Sequence, residues 1–328
     1  MKTSIVIPAY NAEKTVGKTV EACISQDYKD KFEVIVVNDG STDNTEAVIK
    51  SFPVRYIFQE NAGPAAARNR GWKASKGDIV CFTDSDCIPA SNWLSTLLEH
   101  YKDSTLVGAV CGSYKIANLE SLLAQCIHEE IMFRHSNMSN NVRFFGSYNL
   151  SIRRSVLEEV GGFDETFLQA SGEDNDLSYR IKKAGYNIIF DNKALVAHYH
   201  RDSLYRYLKD QYIHGYWRAK LYRDHPDMTS GDDYTRWKDM LEIPLCGLIV
   251  VLLPFVWVPY VPAGLLGILL LYLAMQVRFS SQVSKERNKH LFFLFLLVTT
   301  IRGFVRTLGF MKGLVRFRPL PYFVRVKR

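Results

Sequence analysis

Apolar residues recur with two different periods over the first two hundred positions. Ser4-Ile5-Val6-Ile7 and Val34-Ile35-Val36-Val37 are nearly unbroken apolar, β-branched runs, as strands buried on both faces require. Residues 54–58 and Asp78-Ile79-Val80-Cys81-Phe82 form two more. Between the first two, Val16, Val20 and Ile24 return every fourth residue as one face of a helix. Strands that alternate with helices predict an α/β domain, a mostly parallel sheet with flanking helices. Each run ends in a polar cluster: Asn11, then Asn38-Asp39-Gly40-Ser41, then Asn61-Ala62-Gly63-Pro64, then Asp84-Ser85-Asp86. Open α/β sheets bind ligands beyond the carboxyl ends of their strands, so these four clusters are expected along one rim.

The pattern changes after residue 200. Leu204, Tyr207, Leu208, Gln211 and Tyr212 space as a helix that breaks at His225-Pro226, and 228–233 reads as a surface linker. Residues 243–277 hold no acidic or basic side chain and are interrupted by Pro254, Pro259 and Pro262. One spanning helix needs about 20 apolar residues, so this stretch predicts a tight hairpin of two short spans. Residues 290–315 are also apolar but carry Arg302, Arg306 and Lys312. An arginine near the bilayer centre costs about 2.5–3.5 kcal/mol on insertion scales. Arg302 and Arg306 are four apart on one face, so an interfacial or re-entrant helix is expected there. The predicted division is an α/β domain over 1–225 whose last part, about 201–225, is an interfacial helix, a linker over 226–240, and a membrane segment over 241–328. That segment comprises the hairpin 243–277, the helix 290–315 and a basic tail.

Charge supports this division. The 328 residues carry a net +7, but 241–328 alone hold twelve Lys and Arg against Glu242 and Glu286, a net +10, which leaves −3 on 1–240. Basic residues flanking apolar runs suit a membrane surface and argue against a nucleic-acid partner. The six cysteines form no C-x-x-C pair and read as reduced packing residues. Met1-Lys2-Thr3 leads straight into a strand-like run with no secretory pattern, so a cytoplasmic α/β domain held at the cell membrane is expected. No G-x-G-x-x-G follows the first strand, which argues against a dinucleotide oxidoreductase.

Five segments occur in order: Ser4-Ile5-Val6-Ile7-Pro8-Ala9-Tyr10-Asn11-Ala12-Glu13, Val36-Val37-Asn38-Asp39-Gly40-Ser41-Thr42-Asp43, Asn61-Ala62-Gly63-Pro64-Ala65-Ala66-Ala67-Arg68-Asn69, Thr83-Asp84-Ser85-Asp86 and Gly172-Glu173-Asp174-Asn175-Asp176-Leu177. Together they resemble the family 2 glycosyltransferases with the GT-A fold, over about residues 3–200. The resemblance implies transfer of a sugar from a nucleotide-sugar donor, UDP or GDP, with Mn²⁺ or Mg²⁺ as cofactor. It implies that Asp39 receives the nucleobase and that Pro8, Tyr10 and Glu13 line the nucleotide pocket. An Asx-turn or helix cap is the competing reading of Asp39, and Asp43 and Thr45 read as caps. Asp86 corresponds to the direct metal ligand, Asp84 to a ribose or metal-bound-water contact, and His198 to a third ligand, with His200 as its competitor. Asn149 falls in a segment that resembles the acceptor-side strand.

Residue chemistry adds to this. Arg68 follows a run of small residues that lets a helix start close to a ligand, where a guanidinium can fork onto phosphate oxygens; a surface arginine is the plain alternative. Alternation along an extended Asp84-Ser85-Asp86 would point both carboxylates at one cation. Glu173 and Asp174 precede Leu177, Ile181 and Ala184 at helical spacing, which puts both in a first turn whose dipole favours ionised carboxylates. Asp174 is the candidate general base. Asp176 and Arg180 read as a local pair. Processive synthases of the family carry Gln-x-x-Arg-Trp; here Gln211 is followed by Tyr212-Ile213-His214-Gly215, with Trp217-Arg218 displaced, which favours a non-processive enzyme. The expected acceptor is a hydroxyl of a glycan or lipid-linked glycan beside membrane lipid. A polyprenyl-phosphate glycosyltransferase is the near alternative, and a nucleotidyltransferase or a non-catalytic membrane scaffold are distant ones.

Overall fold

The computed structural model describes residues 1–317 except 103, 232 and 236. Arg318, Arg325, Lys327 and Arg328 of the basic tail lie outside the described residues. Contacts divide the chain into two compact units, Met1–His200 and Arg201–Arg328.

In the first unit the apolar runs become β1 (Thr3–Ala9), β2 (Phe32–Asp39), β3 (Arg55–Gln59) and β4 (Ile79–Thr83), followed by β5 (Cys87–Pro89), β6 (Val107–Ile116), β7 (Asn149–Arg153) and β8 (Asn187–His198). They form one sheet in the order β3-β2-β1-β4-β7-β6-β8-β5. The pairs among β3, β2, β1 and β4 are parallel, as is β6 with β8. β7 runs antiparallel between β4 and β6, and β5 antiparallel along β8. The sheet of this α/β fold is therefore mixed.

The helices are α1 (Val16–Ile24), α2 (Thr45–Lys50), α3 (Pro64–Ala74), α4 (Trp93–Glu99), α5 (Leu122–His135), α6 (Arg154–Val160) and α7 (Glu173–Lys183). They cover both faces of the sheet because successive strand residues point to opposite sides. Ile5 and Ile7 pack with Val16 and Val20 of α1 and Trp93 and Leu97 of α4. Val6, Val80 and Phe82 pack with Trp72 of α3, Leu157 of α6 and Leu177 and Ile181 of α7.

Two local devices shape the rim at the carboxyl ends. Asn11 Oδ1 accepts from the Thr42 amide at 2.8 Å and Glu13 Oε2 from the Asn44 amide at 3.1 Å, which ties the loop after β1 to the loop after β2. Gly63, just before α3, has φ +92°, and a Cβ there would lie 2.7 Å from the Leu168 carbonyl oxygen.

The second unit is helical: α8 (Leu204–Asp224), α9 (Trp237–Leu252), α10 (Val261–Glu286) and α11 (Phe292–Arg316). α8 ends where the sequence breaks at His225-Pro226, and it groups with the helices that follow rather than with residues 1–200. Stretch 243–277 is a helix-turn-helix, with Pro254 and Pro259 in the connection and Pro262 in the first turn of α10. α11 is one continuous helix. It meets α8 at glycines: a Cβ at Gly309 would strike the Tyr212 carbonyl, and one at Gly215 the Arg306 carbonyl. The expected headgroup-facing stripe of Arg302 and Arg306 is not what forms. Arg302 is buried and donates to Tyr207 Oη at 3.1 Å, and half-buried Arg306 donates to Gln211 Oε1. Polar partners inside the bundle thus replace the headgroups. The outside is apolar, with Trp257, Leu266, Leu270, Leu271, Phe293 and Leu297 exposed. Val261–Glu286 and Lys289–Arg316 are long and apolar enough to cross a membrane.

Gly63→Ala should displace the Asn61-Ala62-Gly63 turn. A positive φ outside the range of other residues costs about 1–3 kcal/mol, so the thermal unfolding midpoint should fall, as differential scanning fluorimetry would read.

Candidate active site

Asp39 ends β2 and is 3% exposed. Its Oδ1 accepts from Gln59 Nε2 (2.7 Å) and the Ala62 amide (2.9 Å), and its Oδ2 from the Gly63 amide (2.9 Å) and Asn61 Nδ2 (3.4 Å). The carboxylate thus holds the loop between β3 and α3, and all its lone-pair positions have protein donors. Pro8 is buried in β1, while Tyr10 and Glu13 are exposed just beyond it. Asp43 Oδ1 accepts from the Thr45 amide at 3.1 Å just ahead of α2, whose N-cap is Asn44, while Thr45 opens the helix and its hydroxyl accepts from the Ala12 amide at 2.7 Å instead of capping.

Arg68 is 3% exposed in α3. Its Nη2 donates to Asp84 Oδ1 at 2.7 Å and its Nη1 to Glu173 Oε1 at 3.0 Å. The guanidinium thus forks onto two carboxylates, one after β4 and one on α7. Burial opposes its charge, but Asp84 and Glu173 outweigh burial and hold Arg68 above its ordinary value. Glu173 also accepts from the Ser171 amide at 2.7 Å. Burial, reinforced by adjacent Asp174 and opposed by Arg68, pushes its carboxyl up to about 7. Burial likewise raises half-buried Asp174. Loss of water around these groups therefore outweighs the helix dipole that favours ionisation there. Asp174 Oδ1 accepts from the Asn175 amide at 2.8 Å. Asp176 pairs with Arg180 at 2.6 Å on the same helix.

The two aspartates of Asp84-Ser85-Asp86 do not point the same way. The Cys87 amide donates to the Asp84 carbonyl at 3.0 Å, which closes a turn in place of an extended segment. Asp84 faces Arg68, and Asp86 faces the end of β8, because Cys87 of β5 pairs with His198 of β8. Asp86 Oδ1 lies 3.5 Å from His198 Nε2. Asp86, Cys87 and His198 offer donor atoms all within 4.8 Å of one another. The Cys87 thiol is pushed well above its ordinary value by burial, so it packs as a neutral group. One carboxylate oxygen and one imidazole nitrogen remain, a donor set that fits a hard or borderline divalent cation such as Mn²⁺ or Mg²⁺.

His200 points elsewhere. Its Nδ1 meets His198 Nδ1 at 2.9 Å and its Nε2 meets His128 Nδ1 of α5 at 3.4 Å. Asn149 is fully buried, with Oδ1 accepting from Trp93 Nε1 at 2.7 Å and Nδ2 donating to the Ser113 and Ala194 carbonyls at 3.0 and 2.9 Å. It ties β7 to α4, β6 and β8, so its side-chain amide is occupied by protein partners in the core. Sequence reasoning missed His128 and the stacked rings of Tyr114 and Tyr148, whose centroids are 3.8 Å apart beside His198. α5 shows no clear apolar stripe, and the pairing of β6 with β8 that brings Tyr114 beside the histidines has no local signal.

Comparison with known proteins gives a consistent result. Residues 4–161 match the family model described as Glycosyl transferase family 2. The chain is 32% identical to "Probable glycosyltransferase YdaM" of Bacillus subtilis over 59% of its own length and 50% of that protein. It is 34% identical to a "Pre-mycofactocin glycosyltransferase" of Mycobacterium tuberculosis over 69% of its own length and 49% of that protein. The chain therefore spans about half the length of these relatives. A solved mannosyltransferase, PcManGT from Pyrobaculum calidifontis in complex with GDP-Man and Mn²⁺, shares the fold with TM-score 0.59 at 18% identity, over 95% of this chain and 86% of that one.

A buried carboxyl raised to about 7 binds its proton more tightly folded than unfolded. Its contribution to stability is therefore present at acidic pH and lost as pH rises toward and through about 7. Glu173→Gln cannot lose a proton, so its thermal midpoint should fall less than the wild type's between pH 5 and pH 8 buffers (round values on either side of that titration). Equal falls would show that Glu173 does not titrate in this range.

Proposed function

We propose, from the premise that residues 4–161 of this chain are a family 2 glycosyltransferase domain, that it is a metal-dependent, inverting, non-processive glycosyltransferase held at a membrane. It moves one sugar from a UDP- or GDP-sugar to a hydroxyl of a glycan or lipid-linked glycan. The observation that carries this reading is the Arg68 bridge, which ties the turn of Asp84 and Asp86 to the helix end of Glu173 and Asp174 at one rim of the sheet.

The nucleotide lies over the ends of β1 and β2, against Pro8, Tyr10 and Glu13, with its base toward Asp39. To reach the Asp39 carboxylate, a base N–H must displace the side-chain amide of Gln59 or Asn61, since the Ala62 and Gly63 amides belong to the backbone. Asp86 and His198 would hold the cation, which would supply charge neutralisation at the leaving diphosphate. Asp84 faces the ribose side and is fixed by Arg68. The acceptor O–H gives its proton to Asp174 as its oxygen bonds to the sugar's anomeric carbon, and the bond from that carbon to the diphosphate oxygen breaks in the same displacement. One displacement inverts the configuration. Burial makes Asp174 more basic than an ordinary carboxylate, which suits the task. Glu173 positions it through Arg68 and Ser171.

Asp174→Asn should lower turnover by about 10²–10⁴ and leave binding of nucleoside diphosphate nearly unchanged. A panel of UDP-, GDP- and dTDP-sugars with Mn²⁺, scored for nucleoside diphosphate release, identifies the donor for that assay. Turnover near wild type would remove Asp174 as base and favour an acceptor that is already ionised, such as a polyprenyl phosphate. EDTA should abolish transfer, and Asp86→Ala should weaken cation-dependent nucleotide binding more than Asp84→Ala does, as calorimetry would read.

The second unit anchors the enzyme. The apolar exterior of α10 and the Pro254–Pro259 connection supports insertion, and Arg278, Lys285, Arg287 and Lys289 cluster on the side that the positive-inside rule keeps cytosolic. The catalytic domain and the C-terminal end then share the cytosolic side. Single cysteines at Met1 and after Arg328 should both resist an impermeant maleimide in intact cells. Labelling of the C-terminal probe alone would mean that α11 crosses completely.

A further inference from the structure

Three imidazoles stand in line behind Asp86. His198 at the end of β8 presents Nε2 to Asp86 and touches His200 through Nδ1, and His200 touches His128 through its other nitrogen. His200 and His128 are buried. The His200 backbone is clamped on both sides by Asn118, whose Nδ2 donates to the His200 carbonyl at 2.8 Å and whose Oδ1 accepts from the His200 amide at 3.0 Å. The Tyr114 ring packs against both His198 and His200, with centroids 5.2 and 5.5 Å away. Both rings of the His198–His200 pair thus pack beside Tyr114, and the His200 backbone is fixed by Asn118.

A neutral imidazole carries one N–H and one lone pair, so each contact in this line needs one donor and one acceptor. Two arrangements satisfy both ring-to-ring contacts, and only the first also gives the Asp86 carboxylate a donor. In one, His198 Nε2–H donates to Asp86, His200 Nδ1–H to His198 Nδ1, and His128 Nδ1–H to His200 Nε2. In the other, every proton sits on the opposite nitrogen: His198 Nδ1–H donates to His200 Nδ1, His200 Nε2–H donates to His128 Nδ1, and the His198 Nε2 lone pair faces Asp86. A cation between Asp86 and His198 is compatible with the second arrangement alone, because it takes the Nε2 lone pair.

We infer that His200 and His128 are positioning residues for the cation site, a buried relay that holds His198 in the tautomer whose Nε2 binds the metal. Cation binding and the three tautomers are then one coupled event that ends at His128, on α5. The inference rests on the reading of Asp86 and His198 as the cation's ligands.

The test is Mn²⁺ binding to the full chain in detergent, followed by electron paramagnetic resonance with GDP and, separately, UDP present. His200→Leu removes the acceptor for His198 Nδ1–H and should weaken Mn²⁺ by about 10–100-fold, the usual cost of losing such a partner. His200→Asn places an amide oxygen near the position of Nδ1 and should restore affinity to within about threefold of wild type. Wild-type affinity in folded His200→Leu, or no rescue by His200→Asn, overturns the relay. If His200→Leu does not fold, His128→Phe takes its place, and an unchanged affinity there overturns the relay equally. Mn²⁺ binding that ignores Asp86→Ala would instead defeat the cation-site reading itself. With ¹⁵N-labelled histidine and diamagnetic Mg²⁺ plus nucleotide, the His198 and His200 signals should move together to Nδ1–H and Nε2–H respectively. Independent or absent change overturns the coupling.

Discussion

A buried arginine between two carboxylates is the constraint on which the rim depends. Arg68 brings a full charge into a site 3% exposed, and such a charge is tolerated only when paired and hydrogen-bonded. Asp84 and Glu173 supply that pairing from segments far apart in sequence, one after β4 and one at the start of α7. Removing either would leave a buried charge short of a partner, which is among the more costly changes a core can suffer. The bridge thus fixes the turn of Asp84-Ser85-Asp86 relative to Asp174. One guanidinium thus ties the turn that carries Asp86 to the helix end that carries Asp174.

The remaining loops are held by the same kind of device at smaller scale. Asp39 spends its carboxylate on the amides of Ala62 and Gly63 and on two side-chain amides, so the loop that leads into α3 is drawn over the end of β2. α3 in turn carries Arg68. The loops after β1 and β2 are joined through Asn11 and Glu13. The loops at the rim are therefore joined to the charge bridge through Gly63, where only glycine accepts both its φ and the close Leu168 carbonyl.

The helical unit solves a different problem. Its outer surface is apolar, and its interior holds Lys238, Glu242 and Arg302, all buried. Lys238 meets Glu242 at 2.6 Å, and Gln276 donates to the same carboxylate at 3.1 Å. Polar residues turned inward and apolar residues outward are the arrangement that the proposed membrane anchor would need, since hydrocarbon offers charges no partner. The sequence showed that Arg302 and Arg306 share a face. It could not show which way the face turns, because Tyr207 and Gln211, which receive them, lie about a hundred positions earlier.

The sequence alone determined the first four strands, the α/β class, the helix from Leu204, the break at His225-Pro226 and the five motifs that carry the family resemblance. These follow from local rules, apolar period and turn chemistry, that act within a few residues. It also determined that Glu173 and Asp174 share a first helical turn. Tertiary structure decided the rest. The antiparallel placing of β7 drew Asn149 into the core, where its amide is consumed. The β5–β8 pairing set Asp86 against His198 and left His200 to face His128. The turn at Asp84 sent that carboxylate to Arg68, and burial raised Glu173 where the helix dipole alone predicted an ordinary ionised acid. Each of these depends on which partner a side chain meets across the sheet and on how much water remains around it. Both are properties of long-range packing that no local pattern encodes.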